Sequence, residues 1–152
     1  MTEKGRTIAH EWFERVWNQA DASAIDELLA EDAVVHGLAT VEGAEMRGPA
    51  GFKGIHDAFL DAFPDLNIEV EDCVEDGARL AFRCVVRGTH RGGGLGIAPT
   101  GRAVEFGGMG FLRVEGGKIL EAWNTFDFQR MHDQLGAGNS EDTRPLPRPA
   151  PN

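Results

Sequence analysis

With 152 residues and a formal net charge of -10, the chain has the length of one domain with a sizeable core. It is too acidic to favour a phosphate backbone or an anionic membrane, both of which need basic patches. No apolar run approaches the roughly 18–20 residues of a membrane span, and MTEKGRTIAHEW has no apolar signal core behind its charges, so a cytoplasmic protein is expected.

The chain opens with an amphipathic helix over residues 2–18, in which Ile8, Trp12, Phe13 and Val16 recur at helical spacing. A short second helix follows, capped by Asp21 or Ser23 and burying Ile25, Leu28 and Leu29. Residues 33–36 read as a brief strand and 37–48 as a glycine-rich loop. Pro49 suits the first turn of a third helix, which places Phe52, Ile55, His56, Phe59 and Phe63 on one face before Pro64 ends it.

Strands then take over. Residues 67–74 and 79–87 form a hairpin around Glu75-Asp76-Gly77, and 104–114 and 118–128 form another around Glu115-Gly116-Gly117. Between the hairpins lies GTHRGGGLGIAPTGRAVEF, rich in glycine but without the Lys-Ser/Thr and helix start of a phosphate loop. It reads as a long strand-to-strand connection. Gly107, Gly108 and Gly110, inside a strand, mark a bulge or bend. Helices first and strands after imply an α+β fold, with about three N-terminal helices on one face of a curved antiparallel sheet. The domain is expected over residues 1–136, followed by a disordered, proline-rich tail over 137–152.

Two cysteines without a secretion signal, Cys73 and Cys84, read as free, half-buried thiols. No grouping of His, Asp and Glu has metal-ligand spacing. The serines fall at a cap and in the tail, so no serine nucleophile is indicated.

The order of elements, with VWNQADASAIDELLAEDAVVHG, AFPDLNIEVEDCVEDGARLAFRCVVRGTH, GIAPTGRAVEF and FLRVEGGKILEAWNTFD, resembles the SnoaL-like polyketide cyclases of the NTF2-like, ketosteroid-isomerase-like superfamily, from about Arg6 to Leu135. The resemblance implies a cone-shaped α+β barrel, a hydrophobic small-molecule substrate, no metal or organic cofactor, and pairing of cones into a homodimer. It also implies an intramolecular aldol closure of an aromatic polyketide ester. The alternatives it leaves are a cofactor-free hydroxylase and a ligand-binding protein without catalysis.

Aldol closure needs a base and a hydrogen-bond donor for the enolate. By the resemblance, Asp127 is the first candidate for base and acid, on the last strand after Glu121-Ala122-Trp123. This sequence carries Asn124 where many relatives have an acid, and its 104–114 strand lacks the histidine that the cyclases use. Alternation places Asn124, Phe126 and Phe128 on one strand face and Trp123, Thr125 and Asp127 on the other, so only one of Asn124 and Asp127 reaches a cavity. His36 is read either as a cavity-mouth partner or as a hydrogen-bonded strand end. His90 is read chiefly as a brace of the long connection, and otherwise as a polar partner of the reaction. Trp12, Trp17, Phe59, Phe63, Phe111 and Trp123 are the candidate substrate-binding aromatics, with Arg83 as a donor should it face inward.

Overall fold

The computed structural model describes residues 7–38 and 46–136. Thr7 opens the first helix by accepting the Ala9 N–H on its hydroxyl (3.1 Å). After α1 (Ile8–Trp12) the chain widens into a π-helix over Phe13–Asn18, the rarer geometry that often accompanies functional sites. Where that wider turn ends, the Ala20 N–H goes to the Trp17 carbonyl and the Asp21 N–H to that of Arg15. The Val16 carbonyl instead receives Nε2 of the buried His56, at 2.7 Å.

Helix α2 (Ala22–Leu28) is capped by Asp21, whose carboxylate accepts the Ser23 N–H. It runs directly into β1 (Leu29–His36), which starts four residues earlier than its polar centre suggests because Leu29 and Ala30 are buried. A two-residue strand, β2 (Met46–Arg47), leads to α3 (Gly48–Ala62), with Pro49 in its first turn and Phe52, Ile55, His56, Phe59 and Ala62 on the buried side. The hairpins are β3 (Asn67–Asp76) with β4 (Arg79–Thr89), and β5 (Ala103–Glu115) with β6 (Lys118–Phe126). A final helix, α4 (Phe128–Leu135), buries Met131 and Leu135.

The six strands form one curved sheet in the order β2-β1-β6-β5-β4-β3. Its ladders are antiparallel except the closing one: β1 pairs parallel to β6, with Val35 opposite Ala122 and His36 opposite Trp123. The sheet is therefore mixed, not antiparallel throughout. Inward-facing residues of β4 and β5, among them Leu80, Phe82, Val86, Val104, Phe106 and Leu112, join the aromatic faces of α1, the π-helix and α3 in one core. Each such buried aromatic or aliphatic side chain contributes about 1.5–3 kcal/mol by leaving water.

The glycine-rich connection caps α3. The Arg91 and Gly92 N–H groups both donate to the Ala62 carbonyl (2.9 and 3.3 Å), and a Cβ on Gly92 or Gly94 would overlap the carbonyl oxygen of Asp61 or Ala58. Close approach to a helix end, not anion binding, is what these glycines supply. The β4–β5 and β5–β6 ladders run unbroken past Gly107, Gly108 and Gly110, so the expected bulge is absent there. Shifts in register fall instead between Leu29 and Val34 on β1, Val70 and Asp72 on β3, and Arg113 and Val114 on β5.

Cys73 and Cys84 are both free. Burial pushes the Cys84 thiol up to about 12. A thiol that keeps its proton in the folded state and loses it in the unfolded state withdraws stability as pH rises from its ordinary value near 9 towards 12. Urea midpoints of the wild type should therefore fall more steeply across pH 9–11 than those of Cys84→Ala. Parallel profiles would mean that the thiol ionises freely in the folded protein.

The residues expected to form the start of the first helix (2–6), much of the 37–48 loop (39–45) and the tail (137–152) lie outside the described residues.

Candidate active site

Between the helices and the concave face of the sheet lies a cavity of about 70 Å³. Its walls are buried: Trp12, Phe13 and Trp17 from the first helical segment, Phe52, Ile55 and Phe59 from α3, and Phe82, Val86, Phe106 and Leu112 from β4 and β5. Four lining residues are only half-buried, namely Leu38, Asn124, Phe126 and Phe128. These mark the mouth, where the end of β1 meets the end of β6 and the start of α4.

Among the described residues the lining contains no Asp, Glu, His, Lys or Arg. Of these lining residues, the only side chains that carry a polar atom are Asn124, Trp12 and Trp17. Asn124 donates one N–H to the His36 carbonyl at 3.0 Å. Its second N–H and its Oδ1 remain available to a ligand at the mouth. The alternation along β6 is thereby resolved: Asn124 and Phe126 face the cavity, whereas Trp123 and Thr125 are exposed on the convex side.

Asp127 departs from its expected place on a strand. Its carboxylate accepts the Arg130 N–H (3.0 Å) and caps α4, exposed and outside the lining. The sequence carries the signal for this helix, an Asp at the cap with Met131 and Leu135 spaced four apart.

The other candidates divide clearly. Trp12, Trp17 and Phe59 line the cavity. Phe63 lies behind it, stacked on Phe59 with ring centres 6.4 Å apart and tilted against His90 at 5.6 Å. His90 is fully buried and braces the long connection: its Nδ1 accepts the Thr100 N–H at 3.1 Å and lies 3.0 Å from the Thr100 hydroxyl. With Nδ1 accepting, the ring proton sits on Nε2, which has no hydrogen-bond partner. His56 sits in the wall behind Trp17, 5.0 Å between ring centres, with its Nδ1 unpartnered.

Arg83, Phe111 and Trp123 are corrected to the convex face, and His36, there too, fits the second of its two readings, a hydrogen-bonded strand end. His36 bonds Glu121 at 2.8 Å and stacks on Trp123, their planes 17° apart. Glu121 also receives Arg113 at 3.4 Å, and the His36 and Arg113 bonds hold its carboxyl below the usual carboxylate range. Arg83 pairs with Glu71 at 2.6 Å in solvent. Phe111 meets Trp123 edge-on at 6.0 Å, both 39% exposed. Sequence reasoning passed over Phe82, Phe126 and Phe128 as ligand-binding aromatics, and the structure places all three in the lining. Among the described residues, no three His, Cys, Asp or Glu side chains gather as a metal site, and no helix is long and apolar enough to cross a membrane.

Comparison with known proteins agrees with this architecture. The candidate polyketide cyclase IdmH from Streptomyces antibioticus is 33% identical, with 89% of this chain and 100% of that one covered and a TM-score of 0.75. AclR from Streptomyces galilaeus, a candidate hydroxylase, is 30% identical over 85% of this chain and 78% of its own, with a TM-score of 0.73. TsrD from Streptomyces laurentii shares the fold at 24% identity, covering 86% of this chain and 92% of its own, with a TM-score of 0.73. Among curated proteins none matches the chain. The model of the SnoaL-like polyketide cyclases matches residues 7–135, nearly all of the described chain, and the protein belongs to that family.

Proposed function

We propose that the protein binds a hydrophobic, ring-bearing polyketide-type carbonyl compound and closes a ring on it by intramolecular aldol addition. The observation that carries this reading is the apolar cavity with one side-chain amide at its mouth. At about 70 Å³ the cavity is smaller than the roughly 300–1,000 Å³ of pockets that enclose a drug-sized ligand. The apolar end of such a compound is therefore seated inside, and its reacting carbonyl lies at the mouth.

There, the free N–H of Asn124 donates to the carbonyl oxygen and stabilises the charge that grows on it as the neighbouring C–H proton leaves. The enolate carbon then bonds to the second carbonyl carbon of the same molecule, and that oxygen takes up a proton, so atoms and electrons balance without an oxidant. Asp127 remains the proposed proton acceptor, serving the part of the ligand that protrudes into solvent. Catalytic hydrogen bonds commonly align only when substrate is bound.

Two variants test the division of labour. Asn caps a helix as well as Asp does, so Asp127→Asn should keep the fold and ligand affinity while abolishing turnover of an aromatic polyketide ester. Asn124→Ala should lower affinity and turnover together and cost about 0.5–1.5 kcal/mol of stability through the lost bond to His36. Full turnover by Asp127→Asn would remove Asp127 from the mechanism.

The second reading is a cofactor-free hydroxylase, favoured by a cavity lining that, among the described residues, contains an amide and no ionisable side chain and by the likeness to AclR. Ring closure leaves the product mass unchanged, whereas hydroxylation inserts one atom of dioxygen and reduces the other to water with two electrons from a quinol-type substrate or an added reductant. Mass spectrometry with an oxygen electrode separates the two.

The same proposal includes a homodimer, for which the exposed Met109, Phe111 and Trp123 on the convex face provide an apolar patch. Sedimentation equilibrium at micromolar concentration reads it directly.

A further inference from the structure

On the concave face of β5, two glycines stand opposite two phenylalanines. Gly108 is the cross-strand partner of Phe126, and Gly110 that of Phe82. A Cβ on Gly108 would overlap the Phe126 ring, and one on Gly110 the Phe82 ring. Both rings line the cavity. Neither glycine has a left-handed backbone, and neither sits at a bulge; at Gly108 only the Phe126 ring would meet a Cβ, whereas at Gly110 the Trp123 main-chain oxygen, 2.9 Å away, adds to the Phe82 ring. Glycine inside a strand is less stable than alanine because it gives up more backbone freedom on folding. What that cost provides is room for two rings to lie against the strand.

We propose that Gly108 and Gly110 are specificity-determining positions, which keep the Phe126 and Phe82 rings down on β5 and so hold the cavity wide enough for a flat, fused-ring ligand. A methyl group at either position lifts a ring off the sheet and into a space of only about 70 Å³. At Gly108 the lifted ring belongs to Phe126, at the mouth, so broad ligands lose more than narrow ones. Gly107 is the built-in comparison. It points to the convex face, where a Cβ would meet nothing closer than the Cys84 carbonyl at 3.7 Å.

This inference rests on the ring-ligand reading above, and one experiment separates the two. Binding of 1,8-dihydroxyanthraquinone (three rings) and 1-naphthol (two rings) is followed by quenching of the cavity tryptophans. Wild type and Gly107→Ala should bind both probes alike. Gly108→Ala should weaken the anthraquinone about tenfold or more and 1-naphthol less than about threefold. Gly108→Ala combined with Phe126→Leu removes the lifted ring and should restore the anthraquinone to within about threefold of wild type, and it decides the matter if the single variant does not fold. Equal losses for both probes, no loss in a folded Gly108→Ala, or no recovery in the double variant would overturn the inference. A folded wild type that binds neither probe would overturn the ring-ligand reading, and this inference with it.

Discussion

Gly37→Ala should lower stability by about 3 kcal/mol, since a non-glycine residue in a sparsely populated backbone region costs of order 1–3 kcal/mol before any clash is counted. Gly37 has φ +91°, and a Cβ there would overlap the main-chain oxygen of Asn124. The backbone of β6 cannot yield without disturbing the parallel ladder that sets Val35 opposite Ala122, nor without disturbing the Asn124 amide, which donates to the His36 carbonyl next door. For a domain of this size the midpoint of thermal unfolding should fall by roughly 6–12 °C, at about 2–4 °C per kcal/mol. Ligand affinity should fall with it, because Leu38 and Asn124 both belong to the mouth. A midpoint within 2 °C of wild type, on a scale where each kcal/mol moves it by about 2–4 °C, would show that β1 and β6 do not meet as described.

Truncating Phe52 should cost more, about 3–5 kcal/mol as for other buried phenylalanines. The ring is 2% exposed and meets Trp12 and Trp17 edge-on, at 5.1 and 5.8 Å between ring centres. Such contacts add about 0.5–1.5 kcal/mol each beyond area burial. Phe52 also lines the cavity, so Phe52→Ala enlarges the space that a ligand fills. Urea unfolding with and without saturating 1-naphthol should therefore show a large loss in the free protein and a greater stabilisation by ligand than in wild type. A loss below about 1 kcal/mol would contradict the packing, since even modest core truncations reach that value.

Much of the architecture was legible because it is local. Hairpins announce themselves by turn residues between alternating runs, and α3 by Pro49, Pro64 and an aromatic face. The parallel pairing of β1 with β6 leaves no such mark, since nothing in either strand names a partner some 85 residues away. The glycines of β5 were ambiguous for a physical reason: glycine in a strand means either a bulge or a close neighbour, and here the neighbours are aromatic rings. For the site, alternation along β6 narrowed the choice to Asn124 or Asp127 but carried no phase. The phase came from tertiary packing, which also sent Phe111 and Trp123 to the convex face. Asp127 was misplaced because its run was read as strand to residue 128, past the point where the Asp turns the chain into α4.

The ladder that closes the sheet also sets when the mouth comes into being. Contacts such as Gly37 with Asn124 and His36 with Glu121 join residues more than 80 positions apart, so closing the chain between them carries a large loop-closure entropy. An emerging chain can assemble its hairpins and stack α3 on them, but it has no entrance to guard and no amide to offer until β6 has docked beside β1. Capacity to hold a ligand thus arrives with the last strand, and the occupied cavity is a signature of a chain that has finished folding.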